Sequence, residues 1–257
     1  MIKRITPSDK DQATLTTLLE GRRVVHSEQP ADYRGRVVLK PWGHEYLIFQ
    51  NEHVAIWALH IKHGHSTSMH CHPFKKTCLI VLSGYALCNT FYRRNYINGH
   101  GAVIIENGVF HSTHALSENG IHLIEVESPP NKLDLVRLND TYGRENSGYE
   151  SESAMQTDRL DRFHYFHVEE CTSDRDVCRN PSYSLTTRMF SSEADFRDSF
   201  QPREDEYYVS CRGRIEHSDG NVLVDVGEVQ TGTHLRSVGR DNMRANGPLF
   251  LLAFRTQ

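Results

Sequence analysis

Three histidines carry the clearest chemical signal in this chain. His70 and His72 stand two apart within residues 64–84, GHSTSMHCHPFKKTCLIVLSG, and His111 ends a second run, Glu106-Asn107-Gly108-Val109-Phe110-His111. On a β-strand, side chains at i and i+2 leave the same face. His70 and His72 can therefore reach one ion together, and His111 completes a triad if its strand lies opposite. Imidazole donors in this number suit Zn, Fe, Mn or Ni rather than Ca or Mg. The expected cofactor is a divalent transition metal inside a β-barrel. Most of the sixteen histidines fall between His44 and His122, which marks where the chemistry is concentrated.

Proton transfer would need a carboxylate nearby. Glu106 and Glu125 are the catalytic candidates, each on a predicted strand near a histidine run, and Glu125 shares a strand face with Leu123 and Glu127. A solvent-exposed acid is the alternative for both. Lys75 and Lys76 follow the histidine pair where a loop at the barrel mouth is expected, and with Arg93 they could bind a phosphate or the anion of a nucleotide sugar. A solvated pair of charges is the alternative there. His65 and His114 could add a nitrogen or remain loop histidines. Cys71, between the two ligands, should point away from them. Lys40-Pro41-Trp42-Gly43 reads as an edge strand with a packed tryptophan, and residues 134–144 as a tail packed beneath the barrel.

Short strands must position these groups. Residues 36–39, 44–50, 54–61, 77–84, 85–92, 102–107 and 122–128 are β-branched or aromatic runs with Gly, Asn or Ser punctuation, the rhythm of a sandwich or barrel. A helix is expected over 8–20, with Ser8 as N-cap and Gly21 as stop. Residues 139–160 are polar and aperiodic and read as a linker or crossover. Strand signals resume at 163–168, 182–190, 206–217, 221–230 and 248–255, with a helical turn at 194–200. Across 257 residues, a net charge of −4 and 24% charged side chains give no nucleic-acid footprint. No apolar run approaches the ~20 residues that span a bilayer. The opening MIKRITPSDKDQ lacks a signal-peptide core, so a cytoplasmic protein with six reduced cysteines and no membrane partner is expected.

The spacing Gly64-x5-His70-x-His72-x4-Thr77-x6-Gly84 resembles the first cupin motif, with Thr77 where the family carries a glutamate ligand. Residues 106–111 resemble the second motif, with its proline replaced. Lys40-Pro41-Trp42-Gly43, the Leu82-Ser83-Gly84 turn, Glu125-Val126-Glu127-Ser128-Pro129 and the tail from Asp134 to Tyr142-Gly143-Arg144 are similar to the cupin domain of type II mannose-6-phosphate isomerases and related polysaccharide-biosynthesis proteins. The resemblance implies an all-β, double-stranded β-helix (jelly-roll) barrel. It also implies a bicupin, divided as an N-terminal helix and lead-in (1–35), a metal-binding cupin barrel (36–145), a linker (146–160) and a degenerate cupin-like barrel (161–257).

For function, the resemblance implies a metal-dependent aldose–ketose isomerase acting on a sugar phosphate or nucleotide sugar in polysaccharide biosynthesis. Thr77 leaves two alternatives open: a three-histidine Fe(II) dioxygenase and a non-catalytic carbohydrate-binding cupin. A homodimer formed through edge strands, or a two-barrel monomer, is expected.

Overall fold

Alternation of side chains along the strands decides which surfaces meet. In the computed structural model, which describes residues 2–20, 32–144, 148–170, 175–180 and 183–256, the chain opens with β1 (Lys3–Ile5) and α1 (Asp9–Glu20). Ser8 caps α1 reciprocally: the Asp11 amide donates to Ser8 Oγ at 3.3 Å, and Asp11 Oδ2 accepts from the Ser8 amide at 2.8 Å. Gly21, the expected stop, lies outside the described residues.

The next strands are β2 (Val37–Lys40), β3 (Gly43–Gln50), β4 (Ala55–Ile61), β5 (Met69–Cys71), β6 (Lys76–Ser83), β7 (Tyr85–Thr90) and β8 (Arg94–Asn98). They are followed by β9 (Gly101–Ile105), β10 (His111–Ala115), β11 (Ile121–Ser128), β12 (Val136–Asn139) and β13 (Met155–Gln156). One sheet runs β1-β9-β6-β11-β4-β3-β2-β13, and the other β12-β5-β10-β7-β8. Chain segments therefore alternate between two facing sheets, as in a jelly roll.

The inward side chains Trp57, Leu59, Ile61, Leu79, Val81 and Leu123 form one buried cluster. Their strand neighbours Ile56, Ala58, Cys78, Ile80, Ile124 and Val126 belong to a second cluster on the outer face of the large sheet. These strands read as unbroken apolar runs because both faces are covered. At Gly84, φ is +84°, and an added Cβ would lie 2.7 Å from the Gly120 carbonyl oxygen. Glycine is therefore required at that turn.

The cover on the outer face comes from the second half of the chain. Its strands are β14 (Arg175–Asn180), β15 (Tyr183–Phe190), β16 (Glu206–His217), β17 (Val222–Val224), β18 (Val229–Thr231) and β19 (Met243–Thr256). The order is β14-β15-β19-β16-β17, and β18 also pairs with β16. Val209, Phe250, Leu252 and Phe254 pack into the cluster shared with the barrel. The opposite face carries Tyr208, Leu249 and Leu251 against Phe196 of α2 (Glu193–Ser199) and Leu235 of α3 (Gly232–Val238). Among the described residues this half is one sheet, backed by helices rather than by strands.

Residues 148–156, inside the stretch read as a linker, return to the barrel. Tyr149 is buried there, and β13 pairs with β2. Cys71, Cys78, Cys88 and Cys211 are buried and form no disulfide, while Cys171 lies outside the described residues. Among the described residues, no helix is long and apolar enough to cross a membrane.

Candidate metal centre

Strand pairing brings the three histidines together. β10 pairs antiparallel with β5 so that His111 lies directly opposite His70, and His72 follows two residues on. Two contacts lock the histidine runs to each other: the Gly108 amide donates to the His72 carbonyl at 2.7 Å, and Asn107 Nδ2 donates to the Pro73 carbonyl at 3.2 Å. Helix α1 adds a third, since Asp11 Oδ1 accepts from the Phe110 amide at 2.8 Å, immediately before His111.

Ring centroids are 4.6 Å apart for His70 and His111, 5.0 Å for His70 and His72, and 5.7 Å for His72 and His111. One ligand nitrogen from each residue lies within 4.8 Å of the other two. His72 and His111 are buried, and His70 is half-buried.

The tautomer of each ring follows from its neighbours. Nδ1 of His70 meets the Ser68 carbonyl at 2.8 Å, Nδ1 of His72 the Asp134 carbonyl at 2.5 Å, and Nδ1 of His111 the Val109 carbonyl at 2.9 Å. A carbonyl can only accept, so each Nδ1 carries the proton and each Nε2 keeps its lone pair. Burial lowers all three pKa values, His111 to about 4 and His70 and His72 well below the usual range. The rings are therefore neutral at pH 7, as metal ligation requires.

Nε2 of His72 is buried without a hydrogen-bond partner. A cavity of about 20 Å³ adjoins His70, His111, Thr113 and Glu125, enough for a single water or ion. The donor set, the orphaned nitrogen and the small cavity together fit a divalent transition metal held through Nε2 atoms.

Thr77 lies on β6, with its hydroxyl buried and unpartnered. It supplies no carboxylate. Glu125 does, from β11: it lines the cavities next to His70 and, among the described residues, makes no hydrogen bond or ion pair. Burial raises its pKa, assisted by Glu127 and Glu45 and opposed by Lys132.

Lys75 is buried, with Nζ 2.8 Å from Glu127 Oε1 and 3.0 Å from the Asn131 carbonyl. It lines the same cavity as His70 and His72. The structure does not bring Lys76, Glu106 or Arg93 to the histidines. Lys76 is one residue further along, so strand alternation turns it outward to Glu228 at 2.6 Å. Glu106 follows the inward Ile105 and pairs with Arg4 on the outside. Arg93 is exposed at the turn between β7 and β8, in a groove with Arg4 and Tyr92. His65 Nδ1 instead meets the Tyr142 hydroxyl at 2.9 Å, and His114 falls on the outward alternation of β10.

The sequence reading missed most of the charged wall. Glu45, Lys132, Arg137, Arg144, Tyr149 and Glu150 line the histidine cavity, together with Lys40. Burial opposes ionisation of Glu45, but Lys132 and Lys40 outweigh it and hold the pKa at about 2. Residues 134–144 do not pack beneath the barrel. Within them, β12 lies at the edge beside β5, and Asp134 supplies the carbonyl that orients His72. A signal for this was present in the even spacing of Val136 and Leu138.

Two facing sheets, with a histidine triad held across β5 and β10, define the architecture. The fold is that of a double-sheet jelly-roll barrel. No protein-family model and no curated protein matches the chain. Among solved structures, KdgF from Halomonas sp. is similar at 14% identity and a TM-score of 0.33, covering 41% of this chain and 90% of that one. The capsular polysaccharide assembling protein CapF from Staphylococcus aureus is similar at 19% identity and a TM-score of 0.37, covering 40% and 32%. A cupin 2 conserved barrel domain protein from Leptotrichia buccalis is similar at 12% identity and a TM-score of 0.33, covering 90% and 92%.

Proposed function

We propose that this cupin is a metal-dependent enzyme acting on a sugar phosphate or nucleotide sugar, moving a proton between adjacent carbons as an aldose–ketose isomerase does. The observation that carries the reading is a free carboxyl, Glu125, in the cavities that adjoin His70, with His111 beside it in the smaller one. A metal held by His70, His72 and His111 would supply Lewis acidity toward the carbonyl and hydroxyl oxygens of the substrate.

The chain's own residues do the rest. Glu125, with its raised pKa, takes the proton from one carbon and returns it to the next. Glu127, held by Lys75 at 2.8 Å and Lys132 at 2.9 Å, lines the wall of the same cavity. The hydrogen bonds from Nδ1 keep the imidazoles in one orientation throughout.

The test is to incubate zinc-, manganese- or iron-loaded protein with hexose 6-phosphates in D2O. Aldose–ketose interconversion with deuterium uptake at the carbon next to the carbonyl is expected, and its loss in Glu125→Gln would assign the base. No turnover and no exchange with any sugar phosphate would overturn the reading.

One observation favours a second reading. The donor set is three neutral imidazoles, with Thr77 where a carboxylate would stand, and this also suits an Fe(II) dioxygenase. Oxygen uptake by the ferrous protein with a thiol or diketone would favour it.

A further inference from the structure

The histidine cavity is too small as it stands for the substrate proposed above. Its volume is about 60 Å³, whereas small-molecule sites usually begin at about 300 Å³. Part of its wall is formed by Tyr149 and Glu150, which lie between β12 and β13 and belong to no barrel strand. Movement of this segment would enlarge the site.

The Glu150 carboxylate occupies a position with unusual charge. Arg144 Nη1 lies 2.5 Å from its Oε1, Arg137 Nη2 lies 3.7 Å from the same oxygen, and Lys40 Nζ contacts Oε2. The side chains of Lys40 and Arg137 are each only 4% exposed. Two other acids share the cluster: Asp140 grips Arg144 at 2.7 Å and 2.9 Å, and Glu45 lies 3.4 Å from both Lys40 and Lys132. Losing the Glu150 carboxylate would take one counter-charge from each of these three largely buried cations, a costly change that an anion from solution would relieve. Two guanidinium forks and an ammonium are also the groups that recognise phosphate oxygens best.

We propose that Lys40, Arg137 and Arg144 form a phosphate-class anion subsite in the histidine cavity, and that Glu150 is its internal occupant, displaced when ligand binds. The proposal deepens the reading of the cavity as a sugar-phosphate site and names the group that docks. Glu150 then acts as a specificity element, because only a ligand carrying a stronger oxyanion competes with it.

The test uses the metal-free protein and inorganic phosphate, so it needs neither turnover nor bound metal, and a failed isomerase assay leaves its outcome unaffected. Phosphate binding is followed by calorimetry and by the phosphate-dependent rise in Tm. Glu150→Gln is expected to bind phosphate at least roughly tenfold tighter than the native chain, and adding Lys40→Met is expected to abolish the gain. Equal affinity in Glu150→Gln and the native chain, or a gain that survives Lys40→Met, would overturn the proposal. Equal binding of acetate would overturn the phosphate assignment. In case Glu150→Gln fails to fold, hydrogen exchange on the native protein gives a second measurement. Saturating phosphate should speed amide exchange across residues 148–151, and unchanged or slowed exchange there would overturn the displacement.

Discussion

Thr77 and Glu127 are direct cross-strand partners on β6 and β11. The position where the first cupin motif carries an acid thus faces an acid on the neighbouring strand. The pair is buried, and each residue has one unpartnered oxygen, Thr77 Oγ1 and Glu127 Oε2. Polar atoms left in this state are costly, which concentrates unspent hydrogen-bonding capacity on the barrel wall.

Thr77→Val should stabilise the metal-free protein by about 1 kcal/mol, because it removes a buried hydroxyl that has no partner while keeping the side-chain shape. Urea denaturation at constant m-value is the measurement. A loss of stability would show that the hydroxyl has a partner in solution.

Glu127→Gln should have the opposite effect. Its Oε1 neutralises Lys75 at 2.8 Å and Lys132 at 2.9 Å, and both ammonium groups are largely buried. Taking away one charge of a buried cluster costs about 3–5 kcal/mol. The Lys75→Met, Glu127→Gln double variant should recover part of that loss, which a double-mutant cycle would measure.

Metal should bind stoichiometrically and raise Tm, by an amount equivalent to about 2.7 kcal/mol at a metal concentration of 100 Kd. Each of His70→Ala, His72→Ala and His111→Ala should abolish the rise, and a chelator should reverse it in the native chain. Elemental analysis and thermal melts check this. Retention of metal by all three variants would place the site elsewhere.

Stability should fall in acid in two stages. His44, His60 and His122 form a cross-strand row on the outer face of the large sheet, and burial lowers all three pKa values, His44 and His122 to about 4. A depressed histidine binds fewer protons folded than unfolded, so its contribution is complete above the ordinary value and lost as pH falls toward 4. Glu45, held at about 2 against burial by Lys132 and Lys40, adds a second loss beginning near 4.5 and ending near 2. Denaturation midpoints measured from pH 8 to pH 3 should decline from about pH 6.5 downward, and His122→Gln should flatten the first stage.

Much of the site is legible in the sequence. The shared face of His70 and His72 and that of Glu125 and Glu127 each follow from a two-residue repeat, which needs no tertiary information. The same rule could have separated Lys75 from Lys76 and turned Glu106 outward, because inward positions at Leu79 and Ile105 set the phase of those strands. The charged wall was not legible. Lys40, Glu45, Lys132, Arg137, Arg144 and Glu150 come from different strands and loops, and nothing local says that their long side chains converge.

The amino-acid sequence by itself determined the strand rhythm, the apolar faces and the pairing of two imidazoles on one face, because these depend on side-chain alternation along single strands. Only the tertiary structure decided that His111 meets His70, that β12 joins the site, that helices back the second sheet and that Glu150 fills a ring of cations. Those outcomes depend on which strands become neighbours. That is settled by burial of the whole apolar surface and by charges that must find partners once they are removed from water.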